Sequence, residues 1–446
     1  MSTQLVVSRL DGVRPLERCA ADIDRLGAAS LRPSAFASAA YLSNYALNNE
    51  YHTPGRSERL FLVHEGGRVI GCAPMRERRE RLSPASLGPL GLTGTRLEFL
   101  AAADTEQLQF LCAPEDEERV AAALLRHFCD REPGWGMLEL VGQKPGGLLQ
   151  RAMHAASRGR FWARDIPVQP FTEVPLAWPS LEAYFRSLTK HMRSNVGRQA
   201  RRLYQAGETQ IVLAQGGAAV AAWFGAYCDL DARSWKLGTD SSISRNPRRV
   251  HFYRELVSGR AGFEPSFIGV LLEDALVAGL IVGSNRLASP ERHGAWCLEM
   301  AYDRTCAELG PGQLLLLLAV GEALERGNAF LNFLQNFSYY KHRWGAEPIE
   351  VVNLQLIRKL SLHDGRARAG DVQRWWQARR DARSGVAPPG APEQAKDHAE
   401  SGAYADVPVD LERARRLTAA ALATAGSGMR VLDRAAAATH LPFSLE

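Results

Sequence analysis

Gly310, Pro311 and Gly312 form the turn at which this chain is best equipped to do chemistry. Two glycines let a backbone approach a ligand closely. Proline has the fixed φ of a first helical turn. A Leu-rich helical run, Gln313–Arg326, follows at once. Free N–H groups and the positive end of that helix then face whatever lies above the turn, and an anion such as a pyrophosphate fits there. A loop and helix start with no ligand would use the same residues. Leu309 and Gln313 flank the turn, and Asn336 lies downstream. Lys341 can hold a phosphate of a donor or an acceptor as a point charge, with Arg343 beside it, or both can be solvated charges. Lys190, Arg193, Arg198, Arg201 and Arg202 make one side of an amphipathic helix basic. That side can steer an anion, or be a solvated face.

The elements that position these residues read as strand, turn, helix, strand, short helix. Ala295–Tyr302 is a strand, Ala329–Leu334 a second strand, Ser338–Trp344 a short helix and Ile349–Ile357 a strand. Alternation puts Glu299 on one strand face with Cys297 and Ala301, opposite Leu298 and Met300. Upstream, Leu181–Tyr204 and Ala218–Lys236 have helical spacing, and Phe267–Leu272 with Leu276–Gly283 form a hairpin around Glu273-Asp274. Residues 1–175 repeat that order. Gln4–Arg9 is an edge strand, Leu60–Val63 and Val69–Met75 a hairpin around Gly66-Gly67, and Glu115–Cys129 a helix. Met137–Val141 is a strand, Leu148–Ser157 a helix, and Phe161–Pro175 extended. VHEGGRVIGCAP (Val63–Pro74) lies over LLEDALVAGLIV (Leu271–Val282) without gaps, which with the shared downstream order reads as a duplication. The copies differ at one place. The first copy's helix opens Ala113-Pro114-Glu115-Asp116-Glu117-Glu118, whose carboxylates satisfy the helix dipole and repel a phosphate. One anion site is therefore expected, in the second copy.

Length and composition bound the rest. The chain has 446 residues, 46% hydrophobic and 23% charged, with a net charge of +5. These values fit a soluble protein of two or three domains, and the mild charge permits an anionic substrate without demanding nucleic acid. Seven scattered cysteines with no CxxC pair suit a reducing cytosol. The first residues lack the features of a signal peptide, and the longest apolar run, Leu314–Val320, is too short to span a bilayer. No GxxxxGK[ST], HExxH or GxSxG motif occurs, and the histidines show no metal-ligand spacing, so no metal is expected. Three segments follow: 1–175, a unit without a donor site; 176–360, the unit with the turn; and 361–446, an extension. In the extension Ser384–Asp410 reads as a linker and Leu411–Ala425 as a helix; no chemistry attaches to it.

The stretch Cys297–Pro348 resembles the pyrophosphate loop and following strand of the GNAT acyltransferase superfamily. The resemblance rests on Leu309-Gly310-Pro311-Gly312 with its Leu-rich helix, Phe330-Leu331-Asn332-Phe333-Leu334, and Tyr340-Lys341-His342-Arg343-Trp344-Gly345. Within that superfamily it is similar to the CelD-type, cellulose-biosynthesis-like branch, related to the Fem aminoacyl-ligases with their tandem units. The resemblance covers roughly residues 40–360. The chain departs from the family pattern at Ala307, where Gln or Arg is usual, and at Asn332 and Asn336, where many members of the branch have Asp and Gly.

The resemblance implies an α/β fold of two tandem GNAT-like mixed-sheet units with a helical and irregular C-terminal extension. It implies acetyl-CoA or another acyl-CoA as co-substrate, held by Leu309 to Gln313 and Asn336. Tyr340 or Tyr339 would protonate the departing thiolate, a task that suits a phenol. Glu299 or Asp303 would lie near the acceptor as a base, and Lys341, Arg343 and Arg193 would bind substrate. The acceptor class it implies is an amine or hydroxyl of a sugar, polysaccharide precursor or amino compound. Two other readings stay open: a Fem-type transferase using aminoacyl-tRNA, and a binding or regulatory protein on a degenerate GNAT scaffold.

Overall fold

A computed structural model of the chain describes residues 4–48, 56–81, 93–100, 108–132, 134–239, 241–259, 263–285, 293–335, 339–371, 411–424 and 429–444. In chain order the elements begin with β1 (Val6–Asp11), α1 (Arg14–Arg18), α2 (Ala20–Ala29) and α3 (Ala39–Asn48). They continue with β2 (Arg56–Glu65), β3 (Arg68–Arg81), β4 (Thr93–Phe99), β5 (Leu111–Cys112), α4 (Glu117–Asp130), β6 (Met137–Gln143), α5 (Leu148–Ala156) and β7 (Phe161–Pro167). Next come β8 (Phe171–Pro175), α6 (Leu181–Ser187), α7 (Lys190–Ala206), β9 (Thr209–Gln215), α8 (Gly217–Ala232), α9 (Pro247–Val257), β10 (Glu264–Leu272), β11 (Ala275–Ser284) and β12 (Gly294–Tyr302). The chain ends with α10 (Pro311–Glu325), β13 (Phe330–Gln335), α11 (Tyr339–Arg343), β14 (Glu347–Ile349), β15 (Val352–Arg358), α12 (Leu411–Thr424), β16 (Met429–Leu432) and α13 (Arg434–His440).

These elements form two α/β units, each with an eight-stranded mixed sheet. The first has strand order β1-β2-β3-β4-β6-β15-β7, with β5 paired to β3. The second has β14-β8-β13-β12-β11-β10-β9-β16. The repeat is legible in both. An antiparallel hairpin, β2–β3 or β10–β11, leads to β4 or β12. That strand pairs in parallel with β6 or β13, which needs a crossover connection, and α4 or α10 supplies it. Both hairpin turns need positive φ, as two-residue hairpin loops do. Gly66 and Gly67 adopt 57° and 86°, Glu273 and Asp274 50° and 60°. In the first unit Val120, Leu124, Leu125 and Phe128 of α4 are buried in a core with Phe61 and Leu138. In the second, α10 is apolar all round and buried from Leu314 to Val320.

The units divide the chain differently from the expected boundaries at 175/176 and 360/361. The first takes Met1–Asp22, His52–Pro170 and Glu350–Gly402; the second takes Ile23–Tyr51, Phe171–Ile349 and Ala403–Glu446. Phe161–Pro175 is two strands in two sheets, because β7 joins the first and β8 the second. Likewise β14 lies in the second sheet and β15 inserts between β6 and β7 of the first. Each sheet thus holds one strand that follows the other sheet's edge strand in sequence. The predicted helix Leu181–Tyr204 is broken in two. The first piece ends at Ser187 with Leu188 as its cap, and Thr189 caps the second, its side chain accepting from Met192 N at 3.2 Å, as N-cap threonines do. The C-terminal extension is structural where described: β16 extends the second sheet alongside β9, and Thr418 of α12 accepts from Leu276 N at 3.2 Å. Trp375, Trp376 and the expected linker Ser384–Asp410 lie outside the described residues. Among the described residues no helix is long and apolar enough to cross a membrane, and no group of three or more His, Cys, Asp or Glu could hold a metal ion.

Candidate active site

The site is built on β12 and β13. These parallel strands pair only from Gly294↔Phe330 to Trp296↔Asn332. Beyond that point both depart from regular geometry. On β12 the register against β11 passes from Glu299↔Ile281 to Cys297↔Val282, leaving Leu298 as a bulge. On β13 the Asn332 side chain accepts from Leu334 N at 2.7 Å, Leu334 adopts φ 59°, and the register against β8 shifts after Asn332. Thr172 donates to Leu334 O at 3.1 Å. The two strands therefore split, and the carboxyl ends of parallel strands are where α/β sheets place ligands.

The bulge corrects the expected alternation. Cys297, Met300 and Tyr302 pack with the core under α10, whereas Glu299 points to the opposite face. A bulge adds one residue to a strand and so reverses its alternation; Cys297 and Glu299 do not share a face.

The turn lies at the end of β12. Asp303 caps the 3-10 turn Arg304–Leu309, accepting from Thr305 N at 2.9 Å and from its hydroxyl at 2.7 Å; it also pairs with Arg233. Gly310 adopts φ 64°, and a Cβ there would collide with the Gln199 side chain of α7. Pro311 is the first residue of α10 and has no N–H. Gly310 N turns back to Ala307 O, and Gln313 N bonds Gly310 O at 3.1 Å, so Gly312 supplies the remaining donor of the first turn. Gly312 has no positive φ, and a Cβ on it would make ordinary contact with Tyr302 at 3.4 Å. Gln313 and Gln199 each bury a side-chain oxygen that has no partner among the described residues. Leu309 packs on the core beside them.

The other predicted residues fall into two groups. Tyr340 and Lys341 come to the split. Tyr340 packs against the core of β12 and α10; burial, then Cys297 and Tyr302, pushes its phenol up to about 12. Lys341 is 7% exposed and donates to Phe333 O at 2.8 Å. Burial brings its ammonium down to about 8, opposed by Cys297. Arg343 is half-buried, and its Nη2 has no partner among the described residues. Arg193 is used structurally, donating to Arg186 O at 2.8 Å and to Leu188 O at the end of α6. Asn336 and the Tyr339 side chain lie outside the described residues.

Glu299 and Asp303 belong to a buried charge cluster on the other face of β12. Glu299 pairs with Lys236, and with Arg249 at 2.6 Å. Asp231 accepts from Ser242 at 2.6 Å and from Ser244 N and Oγ at 2.9 Å, with Lys236 at 3.8 Å. Lys236, Arg249, Asp231 and Arg233 carry no motif at recognisable spacing, so the sequence reading passes over them. The signal available was charge at the end of an otherwise apolar helix, Asp229 to Lys236.

Residues 190–342, within the second unit, match the model of the acetyltransferase (GNAT) domain, and the fold there is that of GNAT acyltransferases. Among solved structures, FemX superposes with a TM-score of 0.51 at 10% identity, over 75% of this chain and 95% of that one. A tandem GNAT protein from the clavulanic acid biosynthesis pathway gives 0.46 at 14% identity, over 80% and 98%. N-myristoyltransferase of Saccharomyces cerevisiae with bound myristoyl-CoA gives 0.37 at 10%, over 80% and 79%. No curated protein matches the chain in sequence.

Proposed function

We propose that the second unit transfers an acyl group from acyl-CoA to an amine or hydroxyl acceptor. The carrying observation is the split of β12 from β13 beside the Gly310-Pro311-Gly312 start of α10. Gly312 adds support: neither its φ nor its neighbours call for a glycine. Close approach of a phosphate would. The donor's pyrophosphate meets the helix start, and its thioester leads into the split. The acceptor attacks the thioester carbonyl, the C–S bond breaks, and the thiolate takes the Tyr340 proton. Tyr340 is replenished from solvent, and the acceptor's own proton leaves to solvent. Both Glu299 oxygens are engaged by cations and Asp303 is engaged as a cap, so these carboxylates organise the acceptor side of β12 rather than act as bases. The resemblance to the CelD-type branch favours a sugar, polysaccharide precursor or amino compound as acceptor.

Titration calorimetry with acetyl-CoA tests this reading. One site per chain is expected. Gly312→Asp should weaken binding at least about tenfold, roughly 1.4 kcal/mol, with the chain still folded. Two equivalent sites, none, or unchanged affinity in folded Gly312→Asp would count against it.

A further inference from the structure

The closed end of the split is occupied by Lys341 of α11. Its last strand pair, Trp296 and Asn332, is fully buried. One residue further, Lys341 reaches back from α11 to Phe333 O on β13 at 2.8 Å. The Cys297 thiol on β12 lies within its electrostatic reach. Tyr340 packs beside Cys297 and Tyr302 along the same edge of β12. A chain that ran along the split toward its apex would meet an ammonium ion, not an apolar tunnel.

We infer that Lys341 closes the split to long acyl chains and limits the donor to a short acyl group, acetyl or little longer. The inference rests on the acyl-CoA reading above. The physical reason is the contrast in solvation. In an apolar tunnel each further CH₂ strengthens binding by roughly fourfold. Here each added carbon approaches a buried cation that already holds a main-chain carbonyl. The chain must either displace that hydrogen bond or stay in water, and a buried charge without polar partners is costly. A methyl group stops short of this conflict.

The test is a chain-length series, acetyl-, butyryl- and octanoyl-CoA, titrated into the full-length protein by calorimetry. Octanoyl-CoA should bind the wild type about tenfold or more weakly than acetyl-CoA. Lys341→Met, which keeps an unbranched chain one atom shorter and removes the charge, should bring the ratio near one or invert it, while Lys341→Arg should keep the wild-type order. The wild type at pH about 7 and about 9.5 gives the same contrast without a substitution: the preference for acetyl should narrow as the ammonium deprotonates. A wild type that binds octanoyl-CoA as tightly as acetyl-CoA overturns the inference, as does a preference unchanged in folded Lys341→Met or at the higher pH. Failure of every acyl-CoA to bind overturns the donor reading itself, and the inference with it.

Discussion

Helices α4 and α10 hold the same place in the two units, each following a strand and crossing to its parallel neighbour. They begin in opposite ways. Glu117 and Glu118 stand in the first turn of α4 after the short turn Pro114–Asp116, so the positive end of that helix meets carboxylates supplied by its own chain. No acid stands in the first turn of α10. The parallel strands differ as well. Beside β4 and β6, Arg76 bonds Glu98 at 2.6 Å, Arg96 bonds Glu80 at 2.7 Å, and Arg96 also pairs with Glu139. The first copy thus buries charge as matched pairs within its own sheet. Both parallel pairs run for three residues, but the second copy follows its strand with a helix start that carries no acid. One scaffold can serve as structure or as a site, and the choice turns on a few residues at the helix start and the strand ends.

The largest expected effect falls on the split. Tyr340→Phe should lower kcat by about 10²–10⁴-fold with acetyl-CoA affinity nearly intact, because the phenol acts on charge that develops only as the thiolate leaves. Steady-state rates with calorimetric Kd values separate the two quantities. A phenol held near 12 stays protonated across the working pH range, so the rate should not fall at moderately alkaline pH through loss of this proton. Unchanged turnover in an active preparation would remove Tyr340 from the mechanism and leave the second copy distinguished only by its binding turn.

A middle-sized effect concerns the two ways of burying charge. Lys341 has a folded value near 8, below its ordinary 10.5. Between those values the unfolded chain binds more protons than the folded one, so stability attributable to this residue rises with pH across the window. Below about 8 the cost of burying the ammonium is present in full. Cys297, which faces it, and the neighbouring Tyr340 are pushed up to about 12 and keep their protons there. Urea unfolding of wild type and Lys341→Met should therefore diverge by on the order of 1 kcal/mol between pH about 8 and 9. Parallel pH dependence in the two proteins would show that Lys341 does not titrate in this range.

Much of this contrast could be read from the sequence. Gly66-Gly67 and Glu273-Asp274 marked both hairpins, and the acids before α4 against Gly-Pro-Gly before α10 marked the difference between the copies. What could not be read is non-local. The exchange of β8 and β15 depends on which sheet edge a short extended run finds, and Phe161–Pro175 reads the same either way. The bulge at Leu298 leaves no residue signature, yet it decides that Glu299 joins Lys236 and Arg249 instead of Cys297. Arg193 looked like any other cation of a basic helix until the break before Thr189 gave it the carbonyls of Arg186 and Leu188.

The smallest effect is expected in the first copy, and it asks whether acids alone keep that helix from being a second donor site. Replacing Glu117 and Glu118 together by Gln removes two charges that favour the α4 dipole, each contributing about 0.3–1 kcal/mol at an exposed helix start. A slight loss of thermal stability follows, a few degrees or less. Acetyl-CoA stoichiometry should stay at one. The reason is that removing repulsion does not create a site: no Gly-Pro-Gly turn precedes α4, and the arginines and carboxylates beside β4 and β6 are already matched. Calorimetry on the double variant decides the matter. A second, weaker binding event there would mean that the first copy keeps a latent site masked by its carboxylates, and that the helix start outweighs the matched ion pairs in setting the two units apart.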